Sequence, residues 1–147
     1  MKILRNAGLA ALIFGLTTSH AGLALGNNAN PALLVVHSDN GGHVVEYART
    51  VSKVRSQGTK VQITGRCDSA CTLYLALPSE QTCISPGASF GFHRAYGASR
   101  TANAWGTDYL VRHYPSWVHN WIETQGGVSS NIKRMSFAYA SRFMNVC

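Results

Sequence analysis

Residues 60–77 read KVQITGRCDSACTLYLAL. Over residues 60–64 the apolar side chains Val61 and Ile63 alternate with polar ones, the period of a strand with one buried face. Residues 65–68 carry Gly65 and Asp68 and are expected to form a turn. Residues 69–77 are small or apolar and stop at Pro78, the pattern of a short buried helix. A strand that passes through a tight turn into a buried helix is half of a βαβ unit, which points to an α/β fold.

The flanking residues repeat the theme. Upstream, residues 32–36 (ALLVV) form a continuous apolar run ending in Ser38-Asp39-Asn40-Gly41-Gly42, the look of a buried strand and a sharp turn. Val44, Val45, Ala48, Val51 and Val54 then recur at spacings of three and four, with Arg49, Lys53 and Arg55 mostly on the other side and Gly58 as the stop. That spacing predicts an amphipathic helix. Downstream, residues 82–84 and 89–92 are short β-type runs separated by Pro86-Gly87, and His93 stands where the second ends. A polar loop is expected over residues 94–106. The last third is aromatic and helical in character, broken at Pro115 and Gly126-Gly127. The alternation predicts right-handed βαβ units, a parallel or mixed sheet and a helical C-terminal region.

Lys2 and Arg5 precede the apolar run of residues 7–16, and small and polar residues follow. This is the pattern of a secretory signal peptide over residues 1–21. Ser19 and Ala21 suit a cut before Gly22, and Ala24 with Gly26 offers a cut as late as residue 26, leaving residues 27–147 as a single domain. Export removes two positive charges and no acid, so the net charge falls from +7 to +5. No apolar run approaches the roughly 18 to 20 residues of a membrane span. A periplasmic or secreted location is the expectation.

Four cysteines in an exported chain favour two disulfides, with three pairings open. Cys67 and Cys71 bracket Ser69, so a bridge across one helical turn would stiffen the segment around the serine and leave Cys83 to pair with Cys147. Zinc is the alternative for such cysteines, but their spacing is not that of two CxxC knuckles. The histidines His37, His43, His113 and His119 form no HExxH pattern, so no metal site is expected. The arginines Arg94, Arg100, Arg112, Arg134 and Arg142 gather in the second half without a nucleic-acid motif, and a solvated basic face accounts for them. Tyr109, Trp117 and Trp121, spaced four to eight apart, suit a core or subunit contact.

In α/β sheets, sites are built at the carboxyl ends of strands, here near Gly41-Gly42 and around Ser69. A serine opening a helix after a tight turn has its hydroxyl exposed beside free backbone N–H groups that can hold an oxyanion. It is also a preferred helix cap. Three motifs in order, Ser38-x-x-Gly41-Gly42, Gly65-x-Cys67-x-Ser69-Ala70 and Phe92-His93, resemble those of the Clp protease proteolytic subunit and its crotonase-like relatives, and most of all exported ClpP-like proteins. The resemblance spans about residues 33–96. It implies a ClpP/crotonase-like fold with Ser69 as nucleophile, His93 as general base, and the N–H groups of Gly42 and Ala70 as the oxyanion hole. It also implies a peptide or protein substrate, no metal or organic cofactor, and members that commonly form homo-oligomers. An exported copy would have no ATPase partner.

The sequence departs from the family in two places. The family's opening strand and helix are missing, and Met135 stands where the triad acid would align. Asp108 is the substitute that the sequence offers, although it also suits a helix start. A Ser-His dyad without an orienting acid would be slow, because that acid fixes the tautomer of the histidine and stabilises the imidazolium. The expectation is therefore an exported serine hydrolase, and the alternative is an inactive member of the same fold kept as a binding or scaffold module.

Overall fold

The structure is a computed structural model that describes residues 31–147. The expected signal peptide lies outside the described residues. Six strands form one mixed sheet, with β1 (Leu33–Asp39), β2 (Lys60–Asp68), β3 (Thr82–Ile84), β4 (Ser89–Phe92), β5 (Lys133–Ser136) and β6 (Asn145–Val146). The α/β class and the mixed sheet follow the expectation.

β2 organises the sheet. Its outer edge pairs in parallel with β1, and its other edge pairs with β3 along its first half and β4 along its second. Because β2 changes partner midway, the sheet divides into two arms, one continuing to β6 and the other to β5, which runs antiparallel to β4. Residues 65–68, expected as a turn, are instead the end of β2. Parallel partners on both sides satisfy their backbone groups, which outweighs the local turn preference of Gly65. The β1–β2 register slips between Val36 and Ser38, and a Cβ on Gly65 there would lie 1.8 Å from the His37 carbonyl oxygen. Only glycine allows that approach.

β1 is an edge strand and not the buried strand expected from its apolar run. Val36 is buried, while Leu33 and Val35 are 60% and 51% exposed. The apolar run could not distinguish one covered face from two.

The helix expected after the Gly-Gly turn is α1 (Val44–Ser56), which buries Val51 and Val54. The short buried helix is a 3-10 helix, Ser69–Ala76, with every residue from Ala70 to Leu75 buried. The expected loop over residues 94–106 is shorter, because α2 (Arg100–His113) starts within it, capped by the Ser99 hydroxyl accepting from the Ala102 N–H at 3.2 Å. Pro115 precedes α3 (Ser116–Thr124), as its break predicts. β5 and β6 were not expected in the helical C-terminal third, where only α4 (Phe137–Ala140) follows.

The core closes where β4, α2 and α3 meet. Phe92 meets Tyr114 edge-on at 5.3 Å and Trp121 at 5.4 Å. The buried Tyr114 hydroxyl satisfies itself on Thr72 Oγ1 at 2.6 Å, joining α2 to the 3-10 helix. Burial raises the Tyr114 phenol above its ordinary pKa, and the bond to Thr72 opposes that rise only in part.

Both disulfides pair as expected: Cys67 with Cys71, and Cys83 with Cys147, at Cα separations of 5.3 and 5.1 Å. The first spans the residues around Ser69. The second ties the C-terminal strand to β3, beside the Cys83↔Asn145 pairing of β3 with β6.

Candidate active site

Three chain segments converge at the carboxyl ends of β1, β2 and β4. Asp68 closes β2, and Ser69, the first residue of the 3-10 helix, adopts φ +56°. It is the single non-glycine residue with positive φ among the described residues. The left-handed region costs an L-residue about 1–2 kcal/mol, so this backbone is held by its surroundings. The buried disulfide from Cys67 to Cys71 closes over it. On the β1 side, Gly41 at φ +77° packs so closely that a Cβ there would lie 2.6 Å from the Ser69 Cβ and 2.8 Å from the Ala70 nitrogen. The Gly-Gly turn and the serine turn are thus one packed unit.

Ser69 and Gly42 line the same cavity of about 350 Å³, whose walls include Val44, Val45, Ala102 and Trp105. Ala70 is fully buried behind Ser69, near the start of the 3-10 helix. The first N–H groups of a helix lack intrahelical partners, and the Ala70 N–H is one of these.

His93 leaves β4 on the strand next to β2, where Asp68 lies opposite Gly91. Its ring packs 5.4 Å from that of Tyr96, which lines the cavity. His93 Nδ1 lies 2.7 Å from the Arg94 carbonyl oxygen. A carbonyl only accepts, so Nδ1 carries the proton, and in the neutral ring Nε2 keeps its lone pair. Among the described residues, no hydrogen bond joins the Ser69 hydroxyl to the His93 ring.

The acid positions of the sequence reading lie elsewhere. Met135 is fully buried on β5 opposite Phe90. Asp108 sits on α2 and pairs with Arg112 at 2.9 Å on an exposed face. No carboxylate contacts His93 among the described residues, and its Nδ1 is met by the Arg94 carbonyl instead. No group of three metal-ligating side chains is present among the described residues.

Two further features escaped the sequence reading. Asp39 accepts from the Gly41 N–H at 2.7 Å and from the Tyr47 hydroxyl at 2.6 Å. An Asp two residues before a glycine is an Asx-turn signal, so this contact had a local trace. The other is a bidentate ion pair, with Arg134 donating to both oxygens of Asp68 at 2.7 and 3.0 Å. Its partners are 66 residues apart, and nothing local marks them.

Asp68 keeps 8% of its side chain exposed and Arg134 keeps 40%. Arg134→Leu is expected to cost about 2 kcal/mol, less than a fully buried pair because the guanidinium is partly solvated. The urea midpoint measures it. An unchanged midpoint would mean that Arg66, whose Nε lies 3.5 Å from Asp68, carries the carboxylate alone.

Among solved structures, the ClpP1 N165D mutant from Listeria monocytogenes is similar to this chain, at 19% sequence identity and a TM-score of 0.47, over 76% of this chain and 68% of that one. No protein-family model and no curated protein matches the chain.

Proposed function

We propose that the chain is an exported serine hydrolase acting on peptides or proteins, with Ser69 as nucleophile and His93 as general base. The observation that carries this reading is the positive φ of Ser69 at the end of β2, on the wall of a cavity and pressed against the Gly41-Gly42 turn. Strained backbone persists where the surroundings over-determine it, and such positions cluster at active sites.

In this mechanism His93 Nε2 takes the Ser69 hydroxyl proton as Oγ attacks the acyl carbon. The Gly42 and Ala70 N–H groups stabilise the oxyanion. Collapse breaks the scissile bond and His93 returns the proton to the leaving amine, leaving an acyl-enzyme that water hydrolyses. The Arg94 carbonyl fixes the tautomer of the histidine but brings no negative charge to the imidazolium. Replacing the triad acid by an amide in one well-studied protease costs about 10⁴-fold, so turnover here is slow.

Export is supported by the leader-like N-terminus and two disulfides, which persist in oxidising compartments. Among the described residues no helix is long and apolar enough to cross a membrane. The exposed edge of β1, with Leu33 and Val35, supports a homo-oligomer that covers it. That no carboxylate contacts His93 among the described residues favours the second reading, a binding module on the same fold.

Labelling with a fluorophosphonate probe tests the choice. Wild type is expected to form an adduct on Ser69, located by mass spectrometry, and Ser69→Ala and His93→Ala to form none. No adduct on folded, oxidised wild type would overturn the hydrolase in favour of the binding module.

A further inference from the structure

The Gly41-Gly42 turn is held by more than its own glycines. Asp39, the last residue of β1, lies beside Cys67 in the β1–β2 register, two residues before Ser69. One oxygen of its carboxylate receives both the Gly41 N–H and the Tyr47 hydroxyl. Tyr47 is itself fixed: it projects from α1, meets Tyr74 of the 3-10 helix edge-on at 6.3 Å, and would lie 3.6 Å from a Cβ on Gly42. Burial, followed by the hydrogen bond and charge of Asp39, holds the Tyr47 phenol above its ordinary pKa, so it stays a donor. On the other side, Arg66 Nη2 donates to Asn40 Oδ1 at 2.6 Å. Asp39, Asn40 and Gly41 are therefore held by α1, β2 and the serine turn, and Gly42 follows directly on them.

We propose that Asp39, locked by the Tyr47 hydroxyl, is a positioning residue that presents the Gly42 N–H to the oxygen of the carbonyl whose carbon Ser69 attacks. The inference rests on the hydrolase reading and adds a residue pair to it. Asp39 acts through the backbone: its oxygen is occupied by Gly41 and Tyr47, on the β1 side of Ser69, while His93 sits on the β4 side. An oxyanion donor works because it is already oriented when charge develops, and a turn free to rotate would lose that advantage.

The test compares Asp39→Ala, Asp39→Asn and Tyr47→Phe with wild type on an activated p-nitrophenyl ester, and follows Gly41 amide hydrogen exchange in each, with Ser69→Ala as the inactive control. Asp39→Ala is expected to lower kcat about 100-fold with KM within about twofold, the size of losing one oxyanion donor. Tyr47→Phe is expected to lower kcat about tenfold, the loss of one hydrogen bond to a charged group. Asp39→Asn, whose amide oxygen still accepts, should recover most of the rate, which a merely structural loss would not predict. Gly41 exchange should quicken in Asp39→Ala and stay slow in Asp39→Asn. An active wild type with unchanged kcat in Asp39→Ala overturns this inference alone. If Asp39→Ala fails to fold, unchanged kcat in Tyr47→Phe overturns it. A wild type that neither labels nor hydrolyses overturns the hydrolase reading together with this inference, and slow Gly41 exchange then marks a turn that is rigid for structural reasons only.

Discussion

With Cys83 and Cys147 both replaced by alanine, the protein is expected to lose about 4 kcal/mol of stability, because the link spans 64 residues and chain entropy scales with the logarithm of the loop. Cys147 is exposed and Cys83 half-buried, so little packing is lost with them. On the same scale the four-residue link from Cys67 to Cys71 contributes about 2 kcal/mol, and its removal adds the cost of two fully buried sulfurs. The long link also holds a strand that has little else. β6 is two residues long and pairs with β3 through Asn145 and Val146, with further bonds from the Cys147 N–H to the Ile84 carbonyl at 3.1 Å and from Asn145 Nδ2 to the Ser79 carbonyl at 2.8 Å. Thermal unfolding should move down by on the order of 10–20 °C, and the backbone amide of residue 147 should lose its exchange protection. A shift of only a few degrees would show that backbone pairing alone secures the C-terminus.

Gly41→Ala is expected to damage stability and the site together. The new Cβ would lie 2.5 Å from the Asp68 carbonyl oxygen, 2.6 Å from the Ser69 Cβ and 2.8 Å from the Ala70 nitrogen, at a backbone φ of +77°. Two of those three atoms are backbone, so no flexible side-chain tip can move aside. The left-handed backbone and the overpacking together cost about 3 kcal/mol. The same displacement would separate Ser69 from the proposed oxyanion donors, and a shift of about 1 Å at a reacting group can cost roughly 100-fold in rate. Fluorophosphonate labelling should therefore slow by at least that factor in protein that still unfolds cooperatively. Gly58→Ala is the control for positive φ without crowding: its φ is +64° with nothing within 4 Å, so it should lose only about 1 kcal/mol and label normally. If Gly41→Ala labels at the wild-type rate, the Gly-Gly turn does not contribute to the site.

The sequence made much of this architecture legible. The valines from Val44 to Val54 announced α1, because side-chain periodicity records which face of a helix is buried, and that record is local. Of the three disulfide pairings that the sequence left open, the one preferred for the closeness of Cys67 and Cys71 is the one formed. Placement of Gly42, Ser69 and His93 at neighbouring strand ends was legible from the order of three short motifs, each lying where a strand stops.

Tertiary structure decided what depends on partners from elsewhere in the chain. Residues 65–68 are strand because β1 and β4 flank them and satisfy their backbone, which no local turn propensity reports. β5 is a strand because β4 offers it an antiparallel edge. The edge position of β1 follows from its pairing, among the described residues, on one side only, a fact that an apolar run does not encode. The left-handed backbone of Ser69, the grip of Tyr47 and Asp39 on Gly41, and the ion pair from Arg134 to Asp68 belong to the same class. Periodicity encodes how a segment meets solvent and core, whereas hydrogen-bond partners and close approaches are supplied by residues distant in sequence, so they arise only when the chain has folded.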